Sequence, residues 1–379
     1  MLKVNAKEVM DRLCAFWRRE RPDEILAIVG TPAPTQEALV RQRGWDTERV
    51  NPRPPLSDDL ESMLDYVEAG LEDRAEVLDD SLPACNPNFG YGDYLFGGLL
   101  GAELRFFGTD VHTWSEMKPL LADWSDLDAL TFDPEGYYAR KCMGNLQHAV
   151  DRAAGRYAIC PMLGIDGMNL AVMLRGATPA YLDVYDHPEE LARLMAFGLD
   201  FNWQFLQMER AVFAEHNRRA FAHPDHAALC LENNGMSMSV DAYDLCDLRV
   251  YREIGWTYHR DFIERAGRAY FHIHGDGWHL VDEVAKLPGL NYISIQDDEQ
   301  GLKPRIFERR TYWRRRCGDL PFAMDCSKED LLGGLATRSL PGGVMYCLSA
   351  DSVGEANQIM EKVWAYRAPR TLWAEAEAT

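Results

Sequence analysis

The sequence predicts an α/β chain, a single (β/α)8 TIM barrel with an N-terminal excursion, on three observations. Short apolar β-rich runs alternate with longer helical patterns through the C-terminal two-thirds of the chain, and strands separated by helical crossovers make a parallel sheet. The units are numerous enough for a closed barrel. The length of 379 residues lies within what one such barrel occupies.

Taken in order, MLKVNAKEVMDRLCAFWRRE reads as an amphipathic helix, and EILAIVG (24–30) as the first strand. Residues 31–62 are rich in Pro and charge and read as an excursion over the barrel's face. Residues 85–101 hold five glycines and four aromatics, which suits a loop that wraps a ligand or packs closely on a neighbour. RYAICPMLGI (156–165) is the next strand, followed by a helix from about Pro188 to His216 and by the strand HAALCLENNG (226–235). After the helical stretch YREIGWTYHRDFIERAG come AYFHIHGDG (269–277), NYISIQDDE (291–299), PFAMDCS (321–327) and GVMYCLSADS (343–352), the last leading into a helix from Ser352 to Tyr366. The domain organisation expected is an N-terminal helix, first strand and excursion over 1–80, a barrel over 81–367 and a tail over 368–379.

Composition narrows the function classes. A formal charge of −20 opposes binding to phosphate backbones and to anionic lipid. With no apolar run of membrane length and no cleavable leader in the first helix, the chain reads as cytoplasmic, without nucleic-acid or membrane partners. Nine cysteines without a CxxC indicate neither a disulfide framework nor a zinc ribbon.

The stretch YFHIHGDGWH (270–279) holds three of the ten histidines. Strand alternation turns His272 and His274 to one face, near the strand's C-terminal end, where barrel enzymes place their active sites. Two same-face imidazoles can chelate a metal, and equally can bond to backbone or to Asp276, so a third ligand is required. Gln296, Asp297, Asp298, Asp325, Cys326 and Cys347 lie at neighbouring strand ends. Cys347 is the strongest zinc donor among them, giving a His272, His274, Cys347 set with an open position where an incoming thiol would lose its proton.

Other polar groups fall at strand ends. Glu232, Asn233 and Asn234 read as substrate contacts or as a strand-to-helix turn, and Asp166 in GIDGMN as a contact or a turn-stabilising acceptor. The run ERRTYWRRRCG (308–318) reads as a solvated helix face, or as a docking patch for an acidic partner or a second subunit in a homo-oligomer.

The segments CPMLGIDGMNLAVMLRG, YDHPEELARLM, ENNGMSMSVDAYDLC, YFHIHGDGWHLVDEVAKLPGLNYISI and GGVMYCLSADSVGEANQIMEKV, in this order and spacing, give the chain a resemblance to the uroporphyrinogen decarboxylase superfamily over roughly 80–367. In site chemistry it most resembles that superfamily's zinc-dependent methyltransferases, which act with corrinoid proteins. The resemblance implies a zinc ion as cofactor, a corrinoid carried by a partner protein, and transfer of a methyl group between a small methylated substrate, that corrinoid and a thiol. Those enzymes carry H-x-C where this chain has His272-Ile273-His274, and a later cysteine where it has Cys347. A glutamate ligand of the related cobalamin-independent methionine synthases would fall near Gln296, counted here among the substrate contacts. The arginine-rich motif of the true decarboxylases, RQAGRY, is absent, the nearest stretch being ALVRQRGWD.

Two other readings stand beside the zinc methyltransferase. One is a metal-free decarboxylase or lyase with His272 and Asp276 as acid and base. The other is a non-catalytic component of a methyl-transfer assembly.

Overall fold

A computed structural model describes residues 2–221, 237–297 and 305–372. The chain forms two compact units that interleave along the sequence, one of residues 1–2, 33–73 and 83–222, the other of 3–32, 74–82 and 223–379.

The second unit is built on six strands: β1 Ile25–Gly30, β2 Ser237–Ser239, β3 Ala269–Ile273, β4 Leu290–Ile295, β5 Phe322–Asp325 and β6 Val344–Ser349. They lie in the spatial order β1-β6-β5-β4-β3-β2, and every pairing is parallel. Successive residues such as Leu26, Ala27, Phe271, Ile293 and Met324 are buried irrespective of the face they point to, which is the pattern of a sheet covered on both sides. Helices Trp256–Ala266, Arg310–Cys317, Lys328–Thr337 and Val353–Ala365 lie between or after the strands. Two start where the sequence supplies a cap: Ser327 makes a capping box with Asp330, and Ser352 accepts from the Glu355 N–H. The observed fold is α/β with a parallel six-stranded sheet, and among the described residues β1 and β2 are its open ends.

The N-terminal helix Ala6–Trp17 buries Val9, Met10, Leu13, Phe16 and Trp17. Trp17 stacks on Tyr292 of β4, which stacks in turn on Tyr270 of β3 at 4.7 Å between centroids. The edge of β1 away from β6 is met by side chains as well as backbone. Asp80 and Asp79 accept from the N–H groups of Ala27 and Val29, each at 2.9 Å, while the Asp80 N–H donates to the Ala27 carbonyl. Both carboxylates are fully buried, and Lys3, Arg74 and Arg12 neutralise them.

The basic run at 308–318 is partly interior. Arg314 is buried, packs on Phe322, and donates to the carbonyls of Gly342, Gly343, Gly318 and Leu320. It ties β5 and the turn before β6 together instead of facing solvent.

The first unit is mainly helical. Its long helix Pro188–Phe221 presents Asn202, Glu209 and Asn217, about two turns apart, along one face. Asn217 accepts from and donates to the backbone of Ile159, Asn202 does the same for Ile165, and Glu209 accepts from the Met162 N–H. These side chains satisfy backbone groups of 159–165 beyond the short strand Ala158–Ile159, whose own ladder is with Ala84–Cys85. An antiparallel sheet of Asn51–Pro52, Leu104–Gly108 and Thr113–Met117 completes this unit's strands. The glycine-rich 85–101 segment contains a 3-10 turn, Pro87–Tyr91, and a buried helical turn, Leu95–Leu99. Among the described residues no helix is long and apolar enough to cross a membrane.

Candidate metal centre

β3 carries the H-x-H pair at its C-terminal end. His272 lies within the strand, and His274, at φ −77° and ψ 166°, keeps extended backbone before the 3-10 turn Gly275–Leu280 begins. Two successive extended residues preserve the period of two, so both rings emerge on one side. Their centroids are 5.2 Å apart with perpendicular planes, and both residues are half-buried.

The third group comes from β2. Parallel pairing sets Ser239 opposite His272, so the chain leaving β2 passes beside the imidazoles, and Asp241 starts the 3-10 turn Asp241–Tyr243 there. His272 Nε2 lies 3.5 Å from Asp241 Oδ2. One donor atom from each of Asp241, His272 and His274 falls within 4.8 Å of the others. Burial alone would raise the Asp241 pKa, but the hydrogen bond and charge of His272, helped by Ser239 and His274, outweigh it and hold this carboxyl below its usual range. Its Oδ1 is buried and among the described residues has no hydrogen-bond partner.

The Asp241 turn is anchored from behind. Tyr243, fully buried, packs edge-on against Tyr251 at 5.2 Å and against His259, and His259 packs at 4.8 Å on Phe271, which points from β3 away from His272. The cluster therefore touches both elements that carry the donors. Two glycines permit the approach. A Cβ on Gly255 would stand 2.6 Å from Tyr243, and one on Gly277, in the turn after His274, would stand 2.1 Å from Asp244 Oδ1.

Two imidazoles and one carboxylate suit zinc in its open, catalytic form and also ferrous iron, with positions left for a substrate atom. The donors present fit a divalent metal.

The remaining candidates are dispersed. Asp276 is exposed in the turn after His274, and its carbonyl faces His279 Nδ1 at 3.3 Å. Gln296 follows β4, half-buried, with its N–H on the Ile273 carbonyl. Asp297 Oδ1 accepts from the Ile306 N–H. Cys347 is on β6, in register with Asp325 of β5 and Ile28 of β1, and is not one of the three clustered residues. Asp166 belongs to the first unit, where its carboxylate caps the helix Gly167–Arg175 through the N–H groups of Met168 and Asn169. Glu232, Asn233, Asn234 and Asp298 lie outside the described residues. Asp241 was missed as a donor by sequence reasoning, although it stands in SMSVDAYD, two residues past a strand end; the available signal was an acid at the mouth of the strand preceding H-x-H.

No protein-family model matches the sequence, and no curated protein matches it. Among solved structures, the chain is similar to a methyltransferase from Methanosarcina mazei, with a TM-score of 0.57 over 94% of this chain and 98% of that one at 12% identity. At that identity the similarity is one of fold.

Proposed function

We propose that this chain is a zinc-dependent methyltransferase with a closed (β/α)8 barrel of the uroporphyrinogen decarboxylase type. It would move a methyl group between a small methylated substrate, a corrinoid carried by a partner protein, and a thiol. His272 and His274 supply the imidazole donors and one anionic group completes the set, Cys347 being the candidate drawn from the sequence. The observation that carries this reading is the convergence of metal-compatible side chains at the C-terminal ends of parallel strands. The fold likeness to a methyltransferase over nearly the whole chain supports it.

A divalent metal bound there supplies Lewis acidity that makes a thiol ionise at neutral pH. The chain's own residues do the rest. Asp241 stays ionised beside His272 and holds that ring's orientation, and the Tyr243–His259–Phe271 packing fixes the distance between the two strand ends. Asp276, in the exposed turn after His274, is the acid–base candidate drawn from the sequence, and Gln296 offers a neutral amide to substrate.

Purified protein should contain about one zinc per chain by elemental analysis. It should also demethylate methylcobalamin in the presence of mercaptoethanol, followed by the corrinoid's visible absorbance, and His272→Ala should abolish both properties. Metal-free protein that transfers methyl groups at the full rate would overturn the proposal.

A further inference from the structure

We infer that Asp241 is the third protein ligand, making the centre a two-histidine, one-carboxylate site in place of one completed by thiolate. This deepens the reading of a metal-dependent enzyme and rests on it. Three observations point the same way. Among the described residues, Asp241 is the acid whose oxygen falls within 4.8 Å of donor atoms of both histidines. Its Oδ1 is buried and has no hydrogen-bond partner among the described residues, so one acceptor of this carboxylate is left open to a cation. Its turn is held against β3 by the Tyr243 cluster and by the close approach of Gly277 to Asp244, which is how donors are fixed before a metal arrives.

Cys347, by contrast, is three ladder steps from β3, through β4 and β5. A carboxylate oxygen is a harder donor than sulfur and gives the metal less electron density. The bound metal is then the stronger Lewis acid. It should ionise a thiol more completely than a thiolate-ligated centre does, and tolerate ferrous iron and cobalt beside zinc.

Cobalt(II) titrated into the full-length, chelator-stripped protein tests this directly, with the visible d–d bands reporting binding and near-ultraviolet sulfur-to-cobalt charge transfer reporting a cysteine ligand. Wild type should show d–d bands without charge transfer, and Cys347→Ser should titrate like wild type. Asp241→Ala should bind at least about a hundredfold more weakly. Asp241→Asn, which keeps the side chain's shape and one acceptor oxygen towards His272, should also weaken binding while its urea unfolding stays close to wild type, separating a ligand's loss from misfolding. Charge transfer that vanishes in Cys347→Ser, with Asp241→Asn titrating normally, would overturn the assignment and leave the metal reading standing. Wild type that binds no cobalt would overturn both.

Discussion

His259 and Glu209 are both fully buried, and burial moves them in directions that give opposite pH signatures. Burial pushes the His259 imidazole down to about 3 from 6.5, its Nδ1 lying 3.2 Å from the Tyr251 hydroxyl. Between those two values the unfolded chain holds a proton that the folded chain does not, so this residue's contribution is present above pH 6.5 and is lost as pH falls, by at most about 1.4 kcal/mol per pH unit. His259→Phe keeps the aromatic packing but leaves Tyr251 without that partner, which should cost about 1 kcal/mol at pH 7. The deficit should shrink and then reverse towards pH 4, as read from urea midpoints. Glu209 is pushed up to about 8 by burial, against the opposing bond from the Met162 N–H. Here the folded chain holds the extra proton, so stability is full below pH 4.5 and falls as pH rises towards 8. Glu209→Gln, whose carbonyl can still accept from Met162, should therefore be the more stable form at pH 8 and close to neutral in effect at pH 4. A pair of variants with the same pH trend would refute the assignment of either group.

The edge of β1 depends on ion pairs. Removing one partner of a buried pair leaves the other charge unpaired, so Asp79→Ala, which strands Lys3 and the Val29 N–H, should destabilise by about 3–5 kcal/mol at unchanged m-value. Adding Lys3→Met should recover part of that loss, because the apolar replacement no longer needs a counter-charge. Full additivity of the two changes would show that the pair is uncoupled. Elements of this kind also mark how far the sequence could be read. The strands ILAIVG, AYFHI, LNYISI, FAMD and VMYCLS were legible because a sheet covered on both faces demands unbroken apolar runs, and Ser352 announced the last helix by its capping chemistry. The H-x-H pair was legible because alternation is local. Asp241 was not, because its approach to His272 depends on the register of β2 against β3, a pairing of residues more than thirty positions apart. Arg314 misled for a related reason: periodicity places it on a charged helix face, whereas tertiary packing turns it onto four backbone carbonyls.

At the scale of the molecule, the two compact units differ in what a metal can reach, because Asp241, His272 and His274 all belong to the second. A ligand that binds only the folded site stabilises it by RT ln(1 + [L]/Kd), about 2.7 kcal/mol at a hundred times Kd. Openings that break the site must overcome that increment, and openings that leave it intact need not. Hydrogen exchange with and without saturating zinc should therefore show added protection in peptides of 237–297, including β2, β3 and β4, and none in peptides of the long helix Pro188–Phe221 that open on their own. The size of the gain in β3 reads the affinity independently of any catalytic assay. Equal gains in both regions would mean that the two units open as one cooperative body. No gain anywhere would show that zinc does not use these three side chains.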